Sequence, residues 1–153
     1  MIKRMAFIVC LLSLSSMAGA DSLWSGTWVE RETPHGGRQT MTVEEVGTGW
    51  KLTYKTVLVD IQRTIDSTVL TQLDGKDALL LVDGKPSGQT MAIKKLDSRH
   101  TSAVLKFQRK EMGISKGEIS PDGKVLKVET DYVDSKFSPS GLKGKLIQYW
   151  DRK

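Results

Sequence analysis

Trp50-Lys51-Leu52-Thr53-Tyr54-Lys55-Thr56 alternates without a break: Trp50, Leu52 and Tyr54 fall on one side of an extended chain, Lys51, Thr53 and Lys55 on the other. A period of two with one apolar side is the pattern of a strand with one face buried and one face in water. The same period recurs at Met41 and Val43, at Ile65, Ser67, Val69 and Leu73, at Ala103, Leu105 and Phe107, and at Leu126, Val128, Thr130 and Tyr132. No stretch of the proposed domain holds a helical period of 3.6 for long. Between the runs stand residues that tolerate the backbone of tight hairpins, at Gly47-Thr48-Gly49, Asp74-Gly75, Asp83-Gly84, Asp97-Ser98, Pro121-Asp122-Gly123 and Ser140-Gly141. The spacing predicts about ten strands, near 25–33, 38–46, 50–59, 64–73, 77–82, 89–97, 101–109, 112–120, 124–133 and 143–150.

A meander of eight to ten antiparallel strands leaves two unpaired edges unless it closes, so an up-and-down β-barrel in an all-β domain is the expected architecture. An outer-membrane barrel would carry apolar side chains around its outside, whereas the outward set here includes Lys51, Lys55, Lys127 and Glu129.

The chain opens with a different kind of segment. Met1-Ile2-Lys3-Arg4 is positively charged, Met5-Ala6-Phe7-Ile8-Val9-Cys10-Leu11-Leu12 is apolar, and Ala18-Gly19-Ala20 offers small side chains to a signal peptidase. That order is a secretory signal peptide over residues 1–20, leaving residues 21–153 as one barrel domain. The apolar run is short of the roughly 20 residues that cross a bilayer, so a retained anchor is not expected. Asp21 rather than Cys follows the cleavage site, which argues against a lipid anchor. Cleavage removes the single cysteine, Cys10, leaving no disulfide and no thiol nucleophile. It also removes Lys3 and Arg4, so the formal charge falls from +5 to +3. The basic clusters Lys94-Lys95 with Arg99, Lys106 with Arg109-Lys110, and Lys143 and Lys145 with Arg152-Lys153 read as a solvated barrel exterior, the alternative being attraction to anionic lipid or cell-wall polymer. A nucleic-acid partner is not expected from so mild a charge on an exported protein. The periplasm is the expected destination, with the extracellular medium as the alternative.

Ser25-Gly26-Thr27-Trp28 at the first strand, with Thr130-Asp131-Tyr132 about a hundred residues later, resembles the paired G-x-W and T-D-Y elements of the lipocalins and their calycin relatives. Ser120-Pro121-Asp122-Gly123-Lys124-Val125-Leu126-Lys127-Val128 is similar to the S-P-D-G-K-x-L-x-V hairpin of small exported bacterial lipocalin-like domains, whose activities are largely uncharacterised. The resemblance implies that Trp28 closes the barrel floor and that Arg152 plays the arginine that stacks upon it. The chain departs from the family in stopping after one further strand, where lipocalins add a helix.

Catalytic machinery is not expected. There is no G-x-S-x-G, no H-E-x-x-H and no phosphate-cradling glycine loop. His35 and His100 have no second ligand at metal-binding spacing and read as loop histidines, so neither metal nor cofactor is expected. Glu44 and Glu45 fall on opposite faces of a strand. Glu30 and Glu32 share a face with Trp28 if the first strand is regular; either a bulge after Trp28 bends the strand, the favoured reading, or one carboxylate borders the interior.

What remains is an apolar interior. Trp28, Met41, Val43, Trp50, Leu52, Tyr54, Leu105, Phe107, Val128 and Tyr132 are its candidate lining, with Met91 and Met112 lending adaptability. The leading expectation is a non-enzymatic binder of a small hydrophobic molecule, lipid- or fatty-acid-like, with the loop through Pro34 and Gly36-Gly37 at the mouth. The alternative is a filled barrel that presents its loops to an envelope protein, as an enzyme inhibitor or assembly factor. Barrels of this size are either just filled or just able to hold one ligand, and residue types alone do not separate the two.

Overall fold

A computed structural model describes residues 22–33, 37–141 and 143–153, so the signal-peptide reading lies outside the described residues, as do Pro34, His35 and Gly36. Ten strands follow in chain order: β1 Gly26–Glu30, β2 Arg38–Val46, β3 Gly49–Leu58, β4 Arg63–Thr71, β5 Asp74–Val82, β6 Lys85–Lys95, β7 His100–Phe107, β8 Lys110–Ile119, β9 Val125–Tyr132 and β10 Gly144–Arg152. Each pairs antiparallel with its sequence neighbours, and β1 pairs with β10 to close the barrel. This is the expected up-and-down barrel, with no free sheet edge among the described residues. The connections after the even-numbered strands β2, β4, β6 and β8 gather with residues 22–25 at one end, the floor; those after β3, β5 and β7, with residues 133–141, lie at the other, the mouth.

The period of two in β3 becomes burial of Trp50 and Leu52 against exposure of Lys51 and Lys55. Opposite charges pair across the outside, Lys51 with Glu44 at 3.4 Å and Lys145 with Glu129 at 2.6 Å. Inside, Val43, Leu52, Val69, Ile93, Ile119 and Leu126 form the lower core with the tryptophans.

Trp28 is fully buried at the floor, and its indole N–H donates to the Trp24 carbonyl at 3.0 Å. The Arg152 guanidinium lies 4.3 Å from the centre of the Trp28 ring. Its nitrogens donate to the carbonyls of Ser25 at 2.6 Å and Gly123 at 2.8 Å, and also to that of Leu23. One side chain thus ties the incoming chain, the β8–β9 turn and the last strand together. Trp24 packs at 5.2 Å on Trp50 and donates to the Ser98 carbonyl at 3.0 Å. Gly117 makes room for it, since a Cβ there would stand 3.2 Å from the Trp24 ring.

Two turns differ from expectation. Asp74-Gly75 lies inside β5, and the reversal falls on Gln72-Leu73, where Leu73 takes φ 60° and its N–H bonds to the Thr71 hydroxyl at 3.1 Å. The β7–β8 hairpin turns on Gln108-Arg109, with φ 47° and 67°. A side chain in this left-handed region costs roughly 1–2 kcal/mol, which glycine avoids. Arg109→Gly is therefore expected to stabilise the barrel by about 1 kcal/mol, net of the entropy that glycine adds to the unfolded chain, read as a higher urea midpoint at unchanged slope.

Candidate functional site

Alternation along ten strands points one side chain in two inward, and the bulk of those side chains differs with height. Trp24, Trp50, Leu52, Ile93 and Leu126 crowd the lower half, leaving a chamber of about 100 Å³. Toward the mouth Ser67, Ser115, Gln39, Gln89 and Gln148 stand among apolar residues such as Leu80, Leu105 and Met112, and a chamber of about 360 Å³ opens. The chambers share Met41, Tyr54, Met91, Ser115 and Val128 as walls, so they adjoin along one interior. The larger lies within the roughly 300–1,000 Å³ usual for small-molecule sites.

The structure brings most of the predicted lining together. Met41, Val43, Trp50, Leu52, Tyr54 and Val128 line the lower chamber, while Leu105 and Tyr132 join Met41, Tyr54 and Val128 around the upper one. Two residues are placed differently. Trp28 lies in the floor with its ring covered by Arg152, and lines neither chamber. Phe107, at the end of β7, is outside both linings because its ring packs over Gly88, where a Cβ would stand 3.3 Å from it.

The mouth is approached by a connection that the strand pattern did not single out. Between β9 and β10 a turn of 3-10 helix, Ser135–Phe137, is capped by Asp134, whose carboxylate accepts from the Lys136 N–H at 3.1 Å. It brings Phe137 and Pro139 onto the upper chamber. The available signal was Phe137-Ser138-Pro139-Ser140-Gly141 itself, an aromatic and a proline in a segment too long for a plain hairpin.

Glu30 corrects the sequence reading. β1 keeps its register on both sides, Trp28 opposite Met41 and Arg152, and Glu30 opposite Trp150, so no bulge follows Trp28. Glu30 points inward at 7% exposure, while Glu32 lies exposed beyond the strand end. Its carboxylate accepts a 2.6 Å hydrogen bond from Gln148 Nε2. Burial raises its pKa above the ordinary 4.5, and the Gln148 bond pulls the other way without cancelling that. The unfolded chain returns the group to its ordinary value, so folding takes up a proton between the two and stability falls as pH rises through that window. Glu30→Gln keeps an acceptor for Gln148 and removes the charge. The variant is expected to melt a few degrees higher than the parent at neutral pH, the gap closing below about pH 4.5 in a series of thermal melts.

Burial likewise pushes the Tyr54 phenol up to about 12 and the Tyr132 phenol upward, so both face the interior as neutral hydroxyls at physiological pH. Lys106 is the one charged side chain among the described residues of the upper wall, and its ammonium is held by Asp77 at 2.9 Å and 3.0 Å.

His100 sits at the floor end with Nδ1 within hydrogen-bond distance of the Asp97 carboxylate at 2.8 Å and Nε2 3.7 Å from Glu118. No group of three or more metal-ligating side chains occurs among the described residues. A hollow of about 570 Å³ outside β8–β10 runs between Lys116, Glu129, Asp131 and Lys145, charged side chains of both signs on an open surface. No helix among the described residues is long and apolar enough to cross a membrane.

With this geometry in view, no protein-family model matches the sequence, and comparison with curated proteins and with solved structures likewise gives no match. The reading of the site therefore rests on its own residues.

Proposed function

We propose that the chain is an exported, non-enzymatic binding protein, a lipocalin-like barrel that holds a small, largely apolar molecule inside. The observation that carries this reading is the adjoining pair of chambers, apolar at depth and opening toward the mouth between Phe137 and the strand ends. Burying ~300 Å² of apolar ligand surface at ~25 cal/mol per Å² contributes ~7.5 kcal/mol before the cost of association, so burial alone supports micromolar affinity or weaker. Export rests on the charged, apolar and small-residue segments of residues 1–20, and delivery to the periplasm or medium makes envelope lipids the natural source of such a molecule.

The alternative, a filled barrel acting as an interaction module, draws support from Val59 and Ile61, 56% and 64% exposed at the tip between β3 and β4. It requires a packed interior, which the 360 Å³ chamber does not favour.

The test is to express the full chain with its own leader, purify it natively from the exported fraction, and examine it by native mass spectrometry and by displacement of an environment-sensitive fluorophore. Recovery in that fraction with a bound small molecule, or saturable one-to-one uptake of the fluorophore, is the expected result. Protein that carries nothing and takes up no fluorophore would overturn the binding reading, and retention in the cytoplasm would overturn export.

A further inference from the structure

The mouth of the barrel differs from the rest of its surface in charge. β2, β4, β6 and β8 each begin on a basic residue at this end, Arg38, Arg63, Lys85 and Lys110, and all four are exposed. Arg109, Lys136 and Lys143 join them from the connections, against the carboxylates of Asp60, Asp83 and Asp134. Seven basic side chains thus stand against three acidic ones, a surplus equal to that of the described residues together, so the remainder of the barrel is balanced in formal charge. The next carboxylate along the wall, Glu111, stands opposite Lys106. Asp83 is paired with Arg63 at 3.5 Å and Asp134 with Lys136 at 3.3 Å, while Arg38, Lys85, Arg109 and Lys110 make no ion pair among the described residues. Beside these free cations the β3–β4 turn, 59–62, carries two exposed apolar side chains. Val59 is one, and the other, Ile61, is the most exposed large apolar side chain among the described residues. The Gln62 N–H closes this turn on the Val59 carbonyl at 3.3 Å.

We propose that the mouth docks on an anionic phospholipid bilayer, with Val59 and Ile61 entering the headgroup layer and the basic side chains lying against the lipid phosphates. The inference goes beyond the binding reading and does not depend on it. Contact with a membrane surface draws on buried apolar area and on attraction to anionic lipid, and this end of the barrel supplies both. A protein partner fits the tip poorly, because two side chains on a four-residue turn bury far less than the roughly 1,200 Å² of a stable protein interface. The basic residues come from separate hairpins, and a fluid lipid surface makes no demand on their spacing. Asp60, between the two apolar residues, keeps the tip in the hydrated headgroup layer, since a carboxylate is costly to carry into hydrocarbon. Phe137 and Pro139, on the upper chamber, belong to the same end, so docking sets the entrance of that chamber against the lipid.

Flotation of the exported protein with vesicles of phosphatidylcholine, alone or with about one-third phosphatidylglycerol, measures the contact directly. Partition onto the anionic vesicles is expected to exceed that onto phosphatidylcholine by about tenfold or more, and to be lost at high salt. Val59→Ser combined with Ile61→Ser should lower it by about tenfold, and so should Lys85→Gln, Arg109→Gln and Lys110→Gln together. Lys94→Gln, Lys124→Gln and Lys153→Gln remove as many charges from the floor end and should leave partition within about threefold. All of these side chains lie on the surface, so the variants fold. No partition, equal partition onto both kinds of vesicle, or a loss in the floor variant as large as that in the mouth variant would overturn the docking surface. Anionic binding untouched by the Val59 and Ile61 replacements would overturn it too. The uptake of fluorophore by the chamber is measured separately, so failure here leaves the binding reading in place.

Discussion

Replacing Arg152 by alanine is expected to lower the stability of the barrel by about 3 kcal/mol, one of the largest effects of any single substitution in the chain. The guanidinium donates to three main-chain carbonyls, those of Leu23, Ser25 and Gly123, and lies over the Trp28 ring at 4.3 Å. Hydrogen bonds from a charged donor contribute roughly 1.5–3 kcal/mol each and a desolvated cation over indole about 2, but the contacts share one side chain and do not add. Arg152 is half-buried, which lowers the total further. Lysine keeps the charge and loses the planar fork, so Arg152→Lys should recover less than half of the loss. Trp28→Ala, which empties the floor, is expected to cost 3–5 kcal/mol on its own scale, and the double variant should cost less than the two singles together by about 1–2 kcal/mol. Urea unfolding followed by circular dichroism measures all four. An Arg152→Ala variant within about 0.5 kcal/mol of the parent would mean that the floor is held by packing alone.

The parts of this molecule that could be read from sequence are those dictated by short-range physics. Alternation at Trp50, Leu52 and Tyr54 fixes which face is buried, because a slip of one residue would turn every side chain over. The expectation of eight to ten strands, ten in the structure, followed from such runs and from Asp83-Gly84 and Pro121-Asp122-Gly123, which supply turn backbones cheaply. Where the turns use costlier residues, at Leu73 and at Gln108-Arg109, local chemistry gave no sign, since the closed sheet imposes those angles from outside. The placement of Arg152 over Trp28 could be guessed from resemblance, but the three carbonyls that hold it come from segments more than a hundred residues apart in the chain or from a distant turn.

Glu30 shows the limit more sharply. A carboxylate on the inward side of a strand argues for a bulge until its partner is known, and Gln148 is 118 positions away. The same holds for the chambers. Residue types placed Met41, Tyr54 and Val128 inside, yet whether they meet each other or empty space depends on side-chain directions summed over ten strands. Small residues at Ser67 and Ser115 opposite larger ones near the mouth open the upper chamber, and the paired indoles of Trp24 and Trp50 close most of the lower one. That division gives the interior its direction, from an entrance of mixed polar and apolar lining to an apolar depth.

Val128→Phe is expected to weaken the binding of an apolar fluorophore by about tenfold or more while changing stability by less than about 1.5 kcal/mol. Val128 stands in the wall that the two chambers share, with Gly117 beside it on β8 and Gln148 beside it on β10. A phenyl ring there extends into space already empty, so overpacking is small, and it closes the passage by which an alkyl chain would reach past Met41 toward Trp50. Thermodynamically the variant exchanges ligand burial for side-chain burial: the folded barrel keeps its apolar contacts and the ligand loses a part of its own. Leu79→Phe supplies the control, since Leu79 is 58% exposed and the added ring meets only solvent. Calorimetric titration of parent, Val128→Phe and Leu79→Phe should place the last with the parent and the Val128 variant apart from both. Equal binding by all three folded proteins would move the ligand out of the barrel interior, because no molecule that fills the shared wall region could ignore a ring built into it.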